Sequence, residues 1–278
     1  MLQPIEPEQL KLEIEHFEES AKKNGITYWY AHQYMLELGY ESWETFQKVI
    51  NKAMGACSKL NIDVTDVFVP DTYINEKGKE QKTFRLTRFA CFLIAMQADE
   101  RKPEVAKAQI ILAAIADSVV SVNHNDLGRI ETREDLKLAE RIMSKAATEA
   151  GVESRQFGIF KDAGFRGMYN MSLQKLQEHK ALPTGKTLYD FMGLTELAGN
   201  LFRVTQTAER IKSHHATGLN SVSQTAKDVG KEVRTMMIKS SGVTPENLPL
   251  EEPINEVKTK IKKVHTKFKK LDADKGKK

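Results

Sequence analysis

Apolar residues recur along this chain at two periods, and each predicts its own kind of element. Between residues 42 and 60, Trp43, Phe46, Ile50, Ala53, Cys57 and Leu60 step by three and four, with Gln47, Lys48, Asn51, Lys52 and Lys59 opposite. That spacing predicts a helix opened by Ser42 with one buried stripe. Residues 5–23 predict an acidic amphipathic helix with Leu10, Ile14 and Phe17 on one face and Gly25 past its end. "ITYWYA" reads as a short strand, and "HQYMLELGY" as a short helix stopped at Gly39. "DVFVPDTYINEKGKEQKTFRL" sets two β-prone runs about a polar turn with Gly78 near its tip, which predicts a hairpin. "LTRFACFLIAMQAD" and "KPEVAKAQIILAAIADSVVSV" are strongly apolar helices, with Pro103 at the start of the second.

"NHNDLGR" (123–129) is turn-rich and marks a domain boundary. Beyond it the pattern is helical at about 131–149, 153–163, 171–180, 186–192, 195–213 and 220–240, with loops at Gly151, Gly164/Gly167, Pro183/Gly185, Gly193 and Gly218. "SGVTPENLPLEEP" reads as an extended proline linker. The final stretch carries Val257, Ile261, Val264, Phe268 and Leu271 at alternating four-three spacing, between Pro253 and Gly276. The fold expected is therefore an α+β N-terminal domain (helices with a small β-hairpin sheet), an all-α helical C-terminal domain and a basic C-terminal helix. The divisions fall at 1–24, 25–122, 130–245 and 246–278.

Composition narrows the class. Forty per cent of the 278 residues are apolar, enough for a real core. Cys57 and Cys91 lie far apart in apolar contexts with no CxxC pair, which points to a reducing compartment without disulfides or a zinc site. The N-terminus lacks a signal peptide's basic start and apolar core, and "FACFLIAM" is too short to span a bilayer, so a soluble cytoplasmic protein is expected, with no membrane partner. The net charge of +4 resides in the tail. From residue 255 onward ten lysines face three acids, a local +7, which leaves −3 for the other 254 residues.

Both tryptophans and four of the seven tyrosines fall in residues 28–46. The stripe assigns Trp43 and Phe46 to the core. Tyr28 and Tyr30 alternate with Trp29, so the two sets face opposite ways, and the tyrosines are the part of the run that can serve as a stacking surface. Lys48, Lys52, Lys77, Lys79, Lys82, Arg85 and Arg88 are candidates for phosphate contact, and Asn51 for a base edge. The bland alternative is that these are ordinary solvated charges. In "TELAGNLFRVTQTAERI", Asn200, Arg203, Gln206 and Thr207 form a polar strip beside an apolar face; Arg203 and Gln206 either bind a partner or tie neighbouring helices together. The tail's lysines repel one another, so its helix orders only on docking. Docking on the body, homo-oligomer pairing with a second copy, and lying along DNA all fit its pattern.

No catalytic, cofactor or metal grouping stands out. "LPTGKT" lacks the first glycine of a phosphate-binding loop, since Lys180 stands there, and no strand precedes it. Gly164-Phe165-Arg166-Gly167 reads as a helix-to-helix turn rather than a nucleic-acid clamp. His214 and His215 are adjacent and point about 100° apart on a helix, so they do not chelate as a pair.

Six stretches are more specific. "YWYAHQYMLELGYESWETFQKVINKAMGAC" with "FRLTRFACFLIAMQADERKPEVAKAQ" resembles the BRO-type N-terminal domain of phage and bacterial DNA-binding proteins. "FGIFKDAGFRGMYNMSL", "MGLTELAGNLFRVTQTAERIK", "VGKEVR" and "TPENLP" resemble the rest of the DNA-damage-inducible protein D family, in the same order from residue 26 to 262. Where that family has Ser-Ala-Arg and an acid, this chain has Tyr30, Ala31, His32 and Gln33; an Asn-Gly pair appears as Gln97-Ala98, and a histidine as Ala226. The resemblance implies a bacterial SOS-response protein without a catalytic centre, with residues 25–122 BRO-like. It implies DNA as a partner and modulation of recombinase filaments on single-stranded DNA. The alternative class is a phage-type antirepressor or other protein-interaction factor that never touches DNA.

Overall fold

The computed structural model describes residues 6–116 and 124–273. The end of the second apolar helix (117–122) and Gly276 lie outside the described residues. The chain forms two compact units, one of Met1–Leu127 with Val257–Lys278 and one of Gly128–Glu256.

The first unit is α+β. Its elements are α1 (Pro7–Glu19), β1 (Lys22–Lys23), β2 (Thr27–Tyr30), α2 (Ala31–Glu37), α3 (Trp43–Lys59), α4 (Val64–Val67), β3 (Phe68–Ile74), β4 (Glu80–Leu86), α5 (Arg88–Gln97) and α6 (Pro103–Ile115). The strands form one antiparallel sheet in the order β1-β2-β4-β3. Local chemistry sets the boundaries. The Ser42 hydroxyl accepts from Thr45 N–H at the start of α3. In the hairpin turn the Asn75 side chain accepts from the N–H groups of Lys77 and Lys79, and Gly78 has φ +69°, a left-handed conformation natural to glycine. Every residue of α5 from Phe89 to Met96 is buried, as expected of a helix apolar on all sides. The aromatic run mostly builds this core. Trp29 is 1% exposed, stacks on Phe17 at 4.5 Å and donates its indole N–H to the Phe17 carbonyl; Tyr34 and Phe46 are equally buried.

The C-terminal helix, α12 (Ile254–Asp272), contributes residues 257–272 to this unit. Val257, Ile261, Val264 and Phe268 are buried, with Phe268 set edge-on to Phe92 and His265 beside Phe89. Lys267 Nζ donates to the Ala116 carbonyl at 2.7 Å. The stripe that would pair with a second copy is thus occupied within the chain. Leu271 departs from the expectation, being 48% exposed, because Asp272 takes the buried position at the helix end. There it accepts from Arg88 N–H (2.8 Å) and Arg88 Nε (3.0 Å).

That position carries a pH dependence. Burial raises the Asp272 carboxyl to about 6, against the opposing pull of Arg88. An acid whose folded pKa is raised binds its proton more tightly in the folded state, so its stabilising contribution is complete below the unfolded value and disappears as pH rises through about 6. Lowering the pH from about 7 to about 5 should therefore stabilise the parent by about 1 kcal/mol through this group. Burial also raises Glu196, in the second unit, to about 6, so the quantity to read is the difference between parent and Asp272→Asn. Thermal melts at the two pH values should show a gap that changes by that amount; a pH-independent gap would contradict it.

The second unit is all-α: α7 (His124–Glu149, counted here from Gly128), α8 (Phe157–Tyr169), α9 (Leu173–His179), α10 (Leu194–Ser213) and α11 (Gly218–Ser241), with 3-10 turns at Ser154–Gln156, Leu188–Phe191 and Pro245–Asn247. Three expectations are corrected here. Residues 124–129 are helical, not a turn; the division between the units falls inside α7. Gly164 and Gly167 do not break a helix. They lie within α8, where a Cβ on Gly167 would stand 2.1 Å from the Lys227 carbonyl oxygen and one on Gly230 would stand 2.6 Å from the Gly164 oxygen. The glycines let the α8 and α11 backbones touch. Beyond the turn at Pro245–Asn247 the proline segment is extended but fastened along this unit: Glu251 N–H donates to the Phe191 carbonyl, Lys180 Nζ to that of Leu248, and Arg129 Nη2 to that of Glu252.

Candidate nucleic-acid interface

The cross-strand register decides which side chains of the sheet share a face. Lys22 stands opposite Tyr28, Tyr30 opposite Arg85, Arg85 opposite Val69, Thr83 opposite Asp71, and Gln81 opposite Tyr73. One face of the sheet therefore carries Lys22, Tyr28, Tyr30, Arg85, Thr83 and Tyr73. The other carries Trp29, Leu86 and Phe68 against the core, and then Lys82 on the projecting part of the hairpin.

The aromatic groups on the first face touch in series. Tyr28 meets Tyr30 edge-on at 5.4 Å, Tyr30 lies 5.3 Å from the His32 ring, and His32 stacks on Tyr73 at 3.7 Å and 7° between planes. Burial lowers the His32 pKa, which favours the neutral ring, and its Nδ1 lies 3.0 Å from the Thr83 hydroxyl. His32 thus joins Tyr30 and Tyr73 into one aromatic series. Tyr30, His32 and Tyr73 are each half-buried. The Arg85 guanidinium lies 5.5 Å from the Tyr28 ring centroid and 3.3 Å from Asp71.

The sequence-derived candidates separate into three groups. Lys77 and Lys79 are exposed at the hairpin tip; Lys82 is exposed on the opposite face from Tyr73 and Arg85 at the hairpin's base. Lys48, Asn51 and Lys52 are exposed on α3. Lys48 and Lys52 line an open cleft of about 800 Å³ with Glu41, Asp99, Glu100, Arg101 and Lys102, and no hairpin residue lines it. Two of its cations are already engaged: Arg101 holds Asp99 at 2.7 Å, depressing that carboxyl to about 2, and Lys102 Nζ donates to the Gly39 carbonyl.

Arg88 is a correction. It is 3% exposed, chelated by Asp272 and by Glu18, with its guanidinium 4.9 Å from the Trp29 ring centroid. It joins α1, β2, α5 and α12 and is closed to phosphate. For Arg203 the structure meets the second of its two readings, a tie between neighbouring helices. At 2% exposure it donates to Asn200 Oδ1 and the Tyr189 hydroxyl and packs 4.9 Å from the Phe165 ring centroid. Asn200 in turn donates to the Tyr169 hydroxyl, which donates to Glu196, and Glu196 pairs with Lys180. The polar strip of α10 is an internal network; Gln206, at its edge, is half-buried. Lys22, His32 and Tyr73 are the additions that sequence reading missed. The alternation of the two hairpin strands held the signal for Tyr73, but only the register placed it beside His32.

Among the described residues, no group of three or more His, Cys, Asp or Glu side chains is arranged to hold a metal, and no helix is long and apolar enough to cross a membrane. Residues 123–257 match the DinD C-terminal domain family. Over 239 residues the chain is 32% identical to DNA damage-inducible protein D of Escherichia coli (strain K12), a match that covers 81% of this chain and 87% of that protein.

Proposed function

The chain belongs to the DNA damage-inducible protein D family, and we propose that it serves the response to DNA damage by binding nucleic acid through the aromatic face of its N-terminal sheet. The observation that carries this reading is the half-open Tyr30–His32–Tyr73 series, with Lys22 and Arg85 on the same face. Partly exposed rings that share a face with cations suit unstacked bases, which stack on the rings while the cations meet the backbone, as on single-strand platforms. Modulation of recombinase filaments on single-stranded DNA is the finer form of this reading, and the family alone supports it. The protein-interaction alternative draws on the exposed acidic side chains of α1, among them Glu8, Glu15 and Glu19.

Binding of the full chain to single-stranded and duplex oligonucleotides at low salt tests the proposal. Base stacking on an aromatic side chain contributes about 1–3 kcal/mol, so Tyr73→Ala should weaken single-strand affinity by roughly 5- to 150-fold, with Tyr73→Phe near the parent. In the same assay, replacing Lys77, Lys79 and Lys82 together should flatten the dependence of log affinity on log salt, by about 0.7 for every phosphate those lysines neutralise. Parent-like binding by Tyr73→Ala and Tyr30→Ala would overturn the aromatic face. Absence of any binding by the parent would favour the protein-interaction class.

A further inference from the structure

The sheet face supplies rings but little net charge. On the hairpin, Lys77, Lys79, Lys82 and Arg85 are nearly matched by Asp71, Glu76 and Glu80. The cleft beside α3 is similarly balanced, four cations against Glu41, Asp99 and Glu100. A polyanion needs cations that are not already opposed.

Those lie on α12. Its docked part runs from Val257 to Asp272 and contains no acid before Asp272, which is buried against Arg88. At 100° per residue, Val257, Ile261, Val264 and Phe268 centre on one side of the helix, and Lys262, Lys263, Thr266 and Lys270 centre on the diametrically opposite side. The structure buries the first set and exposes the second, whose members line a single shallow groove. Lys269 is engaged by Asp66 at 3.7 Å and Lys267 by the Ala116 carbonyl, whereas the ammonium groups of Lys262, Lys263 and Lys270 meet no hydrogen-bonding or ionic partner among the described residues. Lys263 and Lys270 are two turns apart, about 10 Å along the axis.

We infer that this outer face of α12 is a second nucleic-acid contact, a row of lysines for the phosphate backbone. The inference rests on nucleic acid being the ligand of this chain. Charge complementarity selects that partner. The face has regularly spaced cations, no acid and no large apolar side chain, which suits a uniformly charged backbone read without sequence. A protein partner would need an apolar centre to bury, and this face has none. Docking gives the lysines their direction: the apolar stripe held against α5 forces them outward, so a segment that would repel itself as an isolated helix becomes an ordered cationic edge.

The full chain with Lys262, Lys263 and Lys270 changed together to Gln tests this on the same oligonucleotides. A control carries the same charge change at Lys175, Lys212 and Lys239 of the helical unit. The α12 variant should melt like the parent, bind both single strands and duplex more weakly at low salt, and show a log–log salt slope shallower by about 2. Parent-like affinity and slope, or an equal loss in the control, overturns the inference. If the α12 variant is unaffected while Tyr73→Ala weakens binding, the sheet-face reading stands and this one falls; the reverse pattern does the opposite. A parent that binds no oligonucleotide removes both, and retention of an acidic protein by this face would then be the reading to pursue.

Discussion

Alanine at Gly167 is expected to destabilise the helical unit by about 3 kcal/mol or more, the upper end of what overpacking costs. The added methyl would sit 2.1 Å from the Lys227 carbonyl oxygen and 3.0 Å from Gly230 Cα, both backbone atoms. No rotamer relieves a clash with backbone, so α8 and α11 would have to separate and reopen the packing around Gly164, Met168 and Arg203. Gly158 supplies the contrast within the same helix. It has open space around the missing Cβ, and alanine there should be neutral or stabilising by up to about 1 kcal/mol. Thermal unfolding of the two variants should differ by roughly 10 °C. A Gly167→Ala protein melting within about a degree of the parent would mean that the helices do not cross in contact.

Arg88→Ala should be comparably costly, about 3–5 kcal/mol, because it leaves the buried Asp272 carboxylate without its cation. The loss should appear locally as release of the lysine-rich α12, read as faster tryptic cleavage after residues 258–270 as well as a lower melting temperature. Replacing both partners, Arg88→Met with Asp272→Leu, should recover most of the stability, since removing a buried charge pair entirely is far less destabilising than orphaning one member. Unchanged melting and cleavage in Arg88→Ala would return this residue to the phosphate-binding set from which its burial removes it.

The contrast between Arg85 and Arg88 separates what was legible in the chain from what was not. Both are basic residues three positions apart at the end of the hairpin, and pattern alone gave them one role. Arg85 ends up half-exposed on the sheet face, while Arg88 is enclosed by a carboxylate 184 residues away. No local rule reports a partner at that separation. The glycines of "GFRG" are similar: a turn and a helix crossing use the same residue, and only the presence of α11 distinguishes them.

What the chain determined by itself was everything written in short-range physics. The three-four spacing and the hydroxyl of Ser42 specify α3, and Asn75 with Gly78 specifies the hairpin turn. The four-three stripe specifies that residues 257–268 want a seam, and the specific stretches around "TELAGNLFR" specify the family. Only the tertiary structure decided which seam the tail takes, that the α10 strip is internal, and that Tyr73 lies on His32. Periodicity tells which side of an element is apolar, because that depends on neighbours a turn or a residue away. Burial of a charge or stacking of a ring depends on what the rest of the chain brings opposite it, and that is settled only when the elements pack.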